Sequence, residues 1–238
     1  MKLTHVCLAF LSIPLLACSN DPLEPGEGSD PGAGTNTLQV NGSASAEPHG
    51  SNGKLPADFS TDFSVRIELN GQPVTTNATV TVSSLNVNVT LLFNANGNGR
   101  WEGTAAGYDE SYRLDVVSGT DKVNGVIVDG PGIHTFTAPL AGAALDSTLM
   151  IPVNWDRSEG AEVATIRTEN IDRITIPDSG TYMLPPNALK AEKDKTQENT
   201  IELQRTNRII PAGAIGDSSF SVSIQNDLDV IALANPAL

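Results

Sequence analysis

Histidine and cysteine, the residue types most often used for nucleophilic and zinc chemistry, are scarce in this chain. Its 238 residues include three histidines and two cysteines, and only His49 and His134 lie beyond residue 18. Nucleophilic hydrolysis needs a nucleophile, a base and an orienting group, and no Gly-x-Ser-x-Gly motif occurs. Catalytic zinc usually takes three protein ligands. We therefore predict no enzyme, and we interpret both histidines as exposed or locally hydrogen-bonded groups.

Oxygen-rich loops suggest calcium, which binds carboxylate and amide oxygens. The candidate ligands are Asp109, Glu110 and Asp129. The stretch 94–99, Asn-Ala-Asn-Gly-Asn-Gly, imitates the start of an EF-hand loop, but its side chains are neutral amides and its twelfth position is Ala105, where that loop needs a bidentate Glu. We predict a hairpin turn there. Calcium at the three carboxylates is kept as an alternative, and no other cofactor or metal is predicted.

A sugar-binding surface needs exposed aromatic rings, which combine an apolar body with a polar tip in Tyr and Trp. The chain contains 2 Trp, 3 Tyr and 6 Phe. Trp155 lies on the apolar side of an alternating segment, and we interpret Tyr112 and Tyr182 as structural. Trp101 and Tyr108 remain as candidate glycan-stacking residues. A surface module that binds glycan or calcium is therefore the alternative function.

The first eighteen residues predict export. Residues 6–17 form an apolar run behind Lys2 that is too short to span a bilayer and is typical of a signal-peptide core. The run ends in Leu15-Leu16-Ala17-Cys18, which resembles the bacterial lipobox. The resemblance implies cleavage between Ala17 and Cys18 and acylation of both the Cys18 thiol and its new amine, which would hold the chain firmly on a membrane. The alternative is a signal peptide cleaved elsewhere, with Cys18 as a free thiol.

The residues after the cysteine predict a tether. Residues 18–37 are rich in Pro, Gly, Ser and acids and lack any base, which favours a flexible, self-repelling segment. In lipoproteins the residue after the acylated cysteine influences sorting, and Ser19, rather than Asp, implies the outer membrane. Because Cys7 lies in the signal peptide and Cys18 on the anchor, no disulfide is available to the mature fold.

The charge balance limits the partners. Lys and Arg number 14 and Asp and Glu number 28, for a formal net charge of −14. Nucleic-acid binding needs clustered Lys and Arg, and adhesion to anionic lipid through a protein face needs the same. We predict the membrane, reached through the N-terminal lipid, and another envelope protein as partners, and no nucleic acid.

Apolar residues recur at every second position, which is the period of half-buried strands. Residues 85–93 place Leu, Val, Val, Leu and Phe on one side, and no long helical pattern occurs. The same alternation recurs at 65–69, 112–116, 149–155 and 220–224. Many short strands between Asn-Gly and Asp-Gly turns indicate an all-β sandwich or barrel.

Two short motifs resemble known sandwich domains. Residues 139–143 followed by Leu149-x-Ile151-x-Val153-x-Trp155 resemble the opening of a bacterial immunoglobulin-like or fibronectin-III-like domain. Asp178-x-Gly180-x-Tyr182 resembles the tyrosine corner, in which the phenol hydroxyl bonds to an upstream backbone group. The resemblance implies a fold and no activity.

We therefore expect a signal peptide at 1–17, a tether at 18–37 and two tandem immunoglobulin-like β-sandwiches at 38–140 and 141–238. The expected function is that of a lipid-anchored cell-envelope protein with a structural or protein-binding role.

Overall fold

The computed structural model describes residues 31–96 and 99–237, and this part of the chain is built from strands with a single short 3-10 helix at Pro56–Asp58. The predicted all-β fold class is confirmed. The predicted signal peptide, the motif that resembles a lipobox and residues 18–30 of the predicted tether lie outside the described residues. No helix in the described part of the chain is long and apolar enough to cross a membrane.

Eighteen strands follow one another along the described residues. In chain order they are β1 (Ala33–Gly34), β2 (Leu38–Pro48), β3 (Phe59–Leu69), β4 (Gln72–Pro73), β5 (Ala78–Ser83), β6 (Asn88–Thr90), β7 (Leu92–Asn94), β8 (Arg100–Ala106), β9 (Ser111–Ser118), β10 (Asp121–Asp129), β11 (Thr135–Ala138), β12 (Ala144–Leu145), β13 (Ile151–Asp156), β14 (Val163–Arg167), β15 (Ile174–Ile176), β16 (Thr181–Leu184), β17 (Gln197–Ile209) and β18 (Ser219–Ala232).

The strands form three sheets. The first has the order β1-β10-β9-β5-β6, and the second has the order β11-β13-β16. The large sheet follows the path β15-β14-β17-β18-β2-β3-β8-β7, with β4 beside β3 and β12 beside β18. Its strand pairs are antiparallel except β18 with β2 and β12 with β18, which are parallel.

Two hydrophobic cores lie against the large sheet. The first packs β5, β9 and β10 against β2, β3 and β8, with Phe63, Tyr112 and Leu114 among its fully buried side chains. The second packs β11, β13 and β16 against β14, β17 and β18, with Ile166 and Leu203 fully buried. Each core is therefore the interior of a β-sandwich, in which inward-facing apolar residues alternate with polar residues that face solvent.

The long hairpin of β17 and β18 belongs to both sandwiches. Its pairing runs without interruption from Gln197 opposite Ala232 to Ile209 opposite Phe220. The β18 residues Phe220, Val222 and Ile224 lie in the first core, whereas Leu228 and Val230 lie in the second. The expected domain boundary between residues 140 and 141 stays a prediction. Along the chain, buried residues up to Val128 belong to the first core and those from Phe136 belong to the second, until β18 contributes to both.

Two local expectations need correction. The tether was expected to extend to residue 37, but Ala33 and Gly34 pair with β10, so the ordered fold begins earlier. Residues 85–93 were expected to form one strand. They form β6 and β7 in different sheets, because the Leu91 N–H turns to the Val80 carbonyl and the chain crosses from one side of the core to the other there.

A chain that ends at residue 140 is expected not to fold cooperatively. Its first core would lack Phe220, Val222 and Ile224, and β2 would lose its β18 neighbour. Circular dichroism during heating, together with binding of the dye ANS to exposed apolar surface, would compare residues 31–140 with residues 31–238. A cooperative transition of the shorter chain at the melting temperature of the longer one would contradict the shared hairpin.

Within the longer chain, Ile224→Ala should lower the free energy of unfolding by about 2–5 kcal/mol. Ser221→Ala, on the outer side of the same strand, is the matched control.

Candidate functional site

A polar seam crosses the middle of the β17–β18 hairpin, between the two cores. We define it by five residues: Asn52, His134, Asp178, Arg205 and Asn226. Arg205 and Asn226 occupy inward positions of β17 and β18: Leu203 precedes Arg205 on the same side, and Ile224 and Leu228 flank Asn226. The polar contacts of the seam described below join residues at least 17 positions apart in sequence.

The centre of the seam is an ion pair between the fully buried Arg205 and Asp178, whose side chain is 6% exposed. The guanidinium Nη2 lies 2.9 Å from Asp178 Oδ2, and Nε lies 3.2 Å from each carboxylate oxygen. Two further hydrogens bond to the carbonyl of Gly132, at 2.8 Å, and to the carbonyl of Glu159. Each of the three guanidinium nitrogens therefore has at least one acceptor, as a buried charge requires.

The carboxylate of Asp178 is equally well supplied with donors. It accepts the Ala161 N–H at 2.7 Å and the Trp155 indole N–H at 3.3 Å, besides its bonds from Arg205. Burial raises the pKa of Asp178, but the hydrogen bonds from Arg205 and Ala161 and the positive charge of Arg205 outweigh burial and hold the pKa below its usual value. The pair is therefore ionised at neutral pH.

His134 is buried beside this pair, and the prediction that it is exposed or locally bonded is wrong. Its Nε2–H donates to the carbonyl of Leu203, 3.1 Å away and 69 residues later in the chain. Its Nδ1 has no partner among the described residues. Burial, aided by the charge of Arg205, lowers the pKa of His134 to about 3 against the opposing effects of Leu203 and Asp178. The imidazole is neutral under ordinary conditions.

Two asparagines complete the seam. The Asn226 amide accepts the Gly53 N–H at 2.9 Å and donates to the carbonyls of Gly53 and His134 at 2.8 and 2.7 Å. Asn52 exchanges two hydrogen bonds with the backbone of Phe136, at 2.8 and 3.1 Å. The loop between β2 and β3 is thus bonded to β11 and to the hairpin.

The seam orients segments and offers no reacting group to solvent. The titratable side chains of the seam are engaged in buried hydrogen bonds and an ion pair. We therefore interpret the seam as structural. The sequence analysis missed Arg205 and Asn226. A signal was present, since both residues have the parity of the buried apolar residues of their strands: Arg205 follows Ile201 and Leu203, and Asn226 lies between Ile224 and Leu228.

A shallow cavity of about 370 Å³ at the β2–β3 loop brings His49, Ser51 and Asp58 to one surface. Ser51 and Lys54 also have the spacing Ser-x-x-Lys. No described contact joins these groups as a catalytic unit. The Ser51 hydroxyl accepts the Asp229 N–H at 2.9 Å, and Asp58 Oδ2 accepts the N–H groups of Lys54 and Leu55. These bonds hold the loop in shape.

The calcium candidates have other contacts. The Asp109 carboxylate accepts hydrogen bonds from Ser84 and Asn86 and so fixes the turn between β5 and β6. Glu110 is exposed, and Asp129 bonds to Ser111, with its pKa raised by burial. Among residues 31–96 and 99–237, no group of three or more His, Cys, Asp or Glu is placed to hold a metal ion. Calcium binding stays a prediction without a ligand set.

The glycan candidates Trp101 and Tyr108 lie in the first core, 7% and 2% exposed. The Trp101 indole N–H donates to the Val74 carbonyl at 3.1 Å, and the Tyr108 hydroxyl donates to the Pro131 carbonyl at 2.7 Å. Neither ring presents a face to solvent, so neither can form the exposed stacking surface that the sequence suggested. Their polar tips are satisfied by the backbone, as buried Trp and Tyr require.

The tyrosine-corner chemistry occurs at a different residue from the one that the motif suggested. The Tyr112 hydroxyl accepts the Asp109 N–H, three residues upstream, at 2.8 Å and bonds to Thr61 Oγ1 at 3.2 Å. Among the described residues, Tyr182 has no hydrogen bond through its hydroxyl. Asp178, the first residue of the motif that contains Tyr182, forms an ion pair with Arg205.

The outer side of the hairpin is acidic. Glu202 lies directly opposite Asp227, and Arg173 and Arg167 bind Glu202 at 2.8 and 3.2 Å. Burial first, and then the charges of Glu202, Asp229 and Glu47, raise the pKa of Asp227 to about 6, against a hydrogen bond from Gln225. This face disfavours anionic partners.

An exposed apolar patch lies at an edge of the second sandwich. We call it the edge patch and define it by Met150, Pro152, Met183 and Pro185, all exposed. Pro152 is paired with Met183 across β13 and β16, and Met150 and Pro185 continue the same side by one alternate position. Among the described strands, β16 has β13 on one side and no strand on the other. Unpaired edges with apolar faces are sites where another strand can add.

The sequence matches no protein-family model and no curated protein. Among solved structures, the chain is similar to the crystal structure of the chicken CNTN1 FN1–FN3 domains, with 14% identity over 81% of this chain and 68% of that chain and a TM-score of 0.27. A likeness at that level transfers neither a topology nor a role to this chain.

Arg205→Met is expected to lower the free energy of unfolding by about 3–5 kcal/mol, because it removes the buried cation nearest to Asp178 and leaves only the partly exposed Arg157, 4.0 Å away. Arg208→Met, on the exposed side of the same strand, is the control and should change little. The double variant Arg205→Met/Asp178→Asn should recover part of the loss, since the two effects are coupled. Urea unfolding measures all three; a cost of Arg205→Met no larger than that of the control would refute the role of the pair.

Acid should destabilise the fold partly through His134. Because its folded pKa, about 3, is below the ordinary value of 6.5, the stability gained from the neutral ring is complete above pH 6.5 and is lost as the pH falls toward 3. The contribution approaches about 1.4 kcal/mol per pH unit within that window. His134→Gln, which keeps a donor for Leu203, should unfold in urea with a shallower dependence on pH between 6.5 and 4. Equal slopes for the two proteins would show that His134 does not titrate on unfolding.

Proposed function

We propose that this chain is a lipid-anchored cell-envelope protein, held by acyl groups on Cys18, whose all-β body binds another envelope protein and has no enzymatic role. The sequence Leu15-Leu16-Ala17-Cys18 behind an apolar run supports the anchor. Ser19 favours the outer membrane over the inner one.

The edge patch is the observation that carries the protein-binding role. Met150, Pro152, Met183 and Pro185 expose apolar side chains beside the open edge of β16. An extended segment of the partner would satisfy the free backbone groups of β16 and cover the apolar side chains in one step. We therefore propose an extended, uncharged segment of a second envelope protein as the occupant.

The alternative function, a glycan- or calcium-binding module, has less support. Trp101 and Tyr108 are buried, and Asp109 is engaged by the turn between β5 and β6. The acidic outer face of the hairpin also carries arginines that neutralise part of its charge.

Cys18→Ser should release the protein from the membrane fraction of the producing cells or leave its signal peptide uncleaved. In the same cells, a photo-crosslinking amino acid at position 183 of the otherwise native chain should give one discrete adduct that depends on Cys18. Fractionation, the mass of the mature N-terminus and the adduct on a gel are the measurements.

The matched control for the patch is position 175, an exposed threonine on the edge strand β15. Pro152→Lys should abolish the adduct at 183, because it places a charge in the covered apolar surface. An adduct that forms equally at 175, or that has twice the mass of the chain, would contradict the proposed partner. A Cys18→Ser chain that stays in the membrane fraction would contradict the anchor.

A further inference from the structure

Beyond residue 18, the sulfur of this chain is confined to one surface. The chain has 3 Met and 2 Cys, and Met1, Cys7 and Cys18 all lie within its first eighteen residues. Met150 and Met183 are therefore the only sulfur-containing residues between positions 19 and 238. Both belong to the edge patch.

Both methionines are exposed, Met150 to 56% and Met183 to 45%. Methionine ordinarily fills gaps in hydrophobic cores, yet the buried hydrophobic residues of 31–96 and 99–237 include no methionine. Met183 pairs with Pro152 across β16 and β13, and Met150, two residues before Pro152, projects from the same side. The two methionines are thus diagonal neighbours, a relation in which residues are usually about 7–8 Å apart.

Met183 also presents main-chain groups to the open edge of β16. The Trp155 N–H donates to the Gly180 carbonyl at 3.0 Å. Because hydrogen bonding alternates along an antiparallel pair, Tyr182 and Leu184 also bond toward β13, whereas the N–H and carbonyl of Met183 point away from it. A segment that adds to this edge therefore meets the thioether and the main-chain groups of the same residue.

An exposed thioether can be oxidised to a sulfoxide, and hydrogen peroxide supplies both the oxygen and the oxidising equivalents. The sulfur lone pair bonds to one peroxide oxygen as the O–O bond breaks, and the released hydroxide takes the proton of the transferred oxygen and leaves as water. Sulfur loses two electrons and the peroxide gains them. Each sulfoxide therefore consumes one peroxide and forms one water.

Oxidation would change the character of the edge patch and not that of the core below it. A sulfoxide makes an apolar side chain polar, and burying a polar group without a hydrogen-bond partner is unfavourable. The buried residues of the two strands beneath the patch include the aliphatic Ile151, Val153 and Leu184, which this reaction leaves unchanged. The fold should therefore survive a modification that disfavours an apolar partner.

We propose that Met150 and Met183 form an oxidant-sensitive modification site, and that their conversion to sulfoxides by a peroxide releases the partner from the edge patch. The inference rests on the protein-binding role of the proposed function. A bound partner in turn covers both thioethers and protects them. Methionine sulfoxide reductases reverse the modification, so the release is reversible.

The chemistry is tested on the purified, lipid-modified full chain. We expect hydrogen peroxide to add one oxygen atom to Met150 and one to Met183, at a rate close to that of free methionine in the same solution. Peptide mass spectrometry measures the addition, and circular dichroism during heating should give an unchanged melting temperature. Thioethers that stay unmodified when free methionine is fully converted, or a chain that unfolds on oxidation, would overturn the proposal.

The release is tested in envelopes isolated from the producing cells, with a photo-crosslinking amino acid in place of the exposed Thr181. Peroxide is added and then removed with catalase before illumination. We expect the adduct to fall at least about tenfold, a loss of the size caused by one buried unpaired polar group. Methionine sulfoxide reductases with dithiothreitol should restore it.

The matched control is Met150→Leu/Met183→Leu, which keeps an apolar patch without sulfur. Each chain is compared with its own untreated sample, and peroxide should leave the adduct of the leucine variant unchanged. An equal loss in that variant would place the oxidised group on the partner. A leucine variant that gives no adduct even before treatment would show that apolar character is not what the partner requires. Either result overturns the proposal.

Two further outcomes separate this inference from the proposed function. An adduct that survives complete oxidation of Met150 and Met183 would overturn the release and leave the protein-binding role standing. If the chain with both methionines forms no adduct before treatment, the protein-binding role and this inference fail together.

Discussion

The buried ion pair of Arg205 and Asp178 is the interaction on which the arrangement of the two sandwiches depends. An arginine in the interior is tolerated only if its charge is paired and its nitrogens find acceptors, and here all three nitrogens bond to a carboxylate and two carbonyls from three different connections. Shifting the hairpin by one residue against the second sheet would strand both charges in a dry interior. The pair therefore fixes register more than it adds net stability, since such pairs often contribute little free energy beyond what well-packed apolar residues would.

The apolar side chains of the hairpin contribute to the two hydrophobic cores. On either side of the seam, β18 supplies side chains to a core, and neither core is complete without it. A flexible linker, which is the usual way to join two domains, is replaced by two continuous strands. The two sandwiches consequently keep a fixed relation to one another.

The sequence analysis was most successful where a single physical rule decides the outcome. Half-buried strands alternate with a period of two, so 65–69, 112–116 and 220–224 were assigned correctly to strands. Rules of that kind say nothing about which strands pair. Asn41 lies opposite Ser219 because two distant apolar faces fit one core, and no local pattern contains that fact.

The side chains whose surroundings were predicted wrongly also have a physical explanation. Trp101 and Tyr108 were candidates for the surface because the other Trp and two Tyr were interpreted as core or structural, but the backbone carbonyls of Val74 and Pro131 accept their polar hydrogens and allow both rings to be buried. His134 was expected to be exposed or locally hydrogen-bonded because the sequence offers it no catalytic or zinc-binding partners. Its burial depends on a carbonyl 69 residues away, which only the fold supplies.

The parallel pairing of β2 with β18 also governs the order of events during synthesis. Ser219 pairs with Asn41 across 178 residues of sequence, so the first sandwich cannot close before residue 219 has been synthesised. Domains that fold as they emerge do so from the N-terminus, and contacts of such sequence separation form slowly. The strand that completes the first core is therefore the last of the described strands to be synthesised.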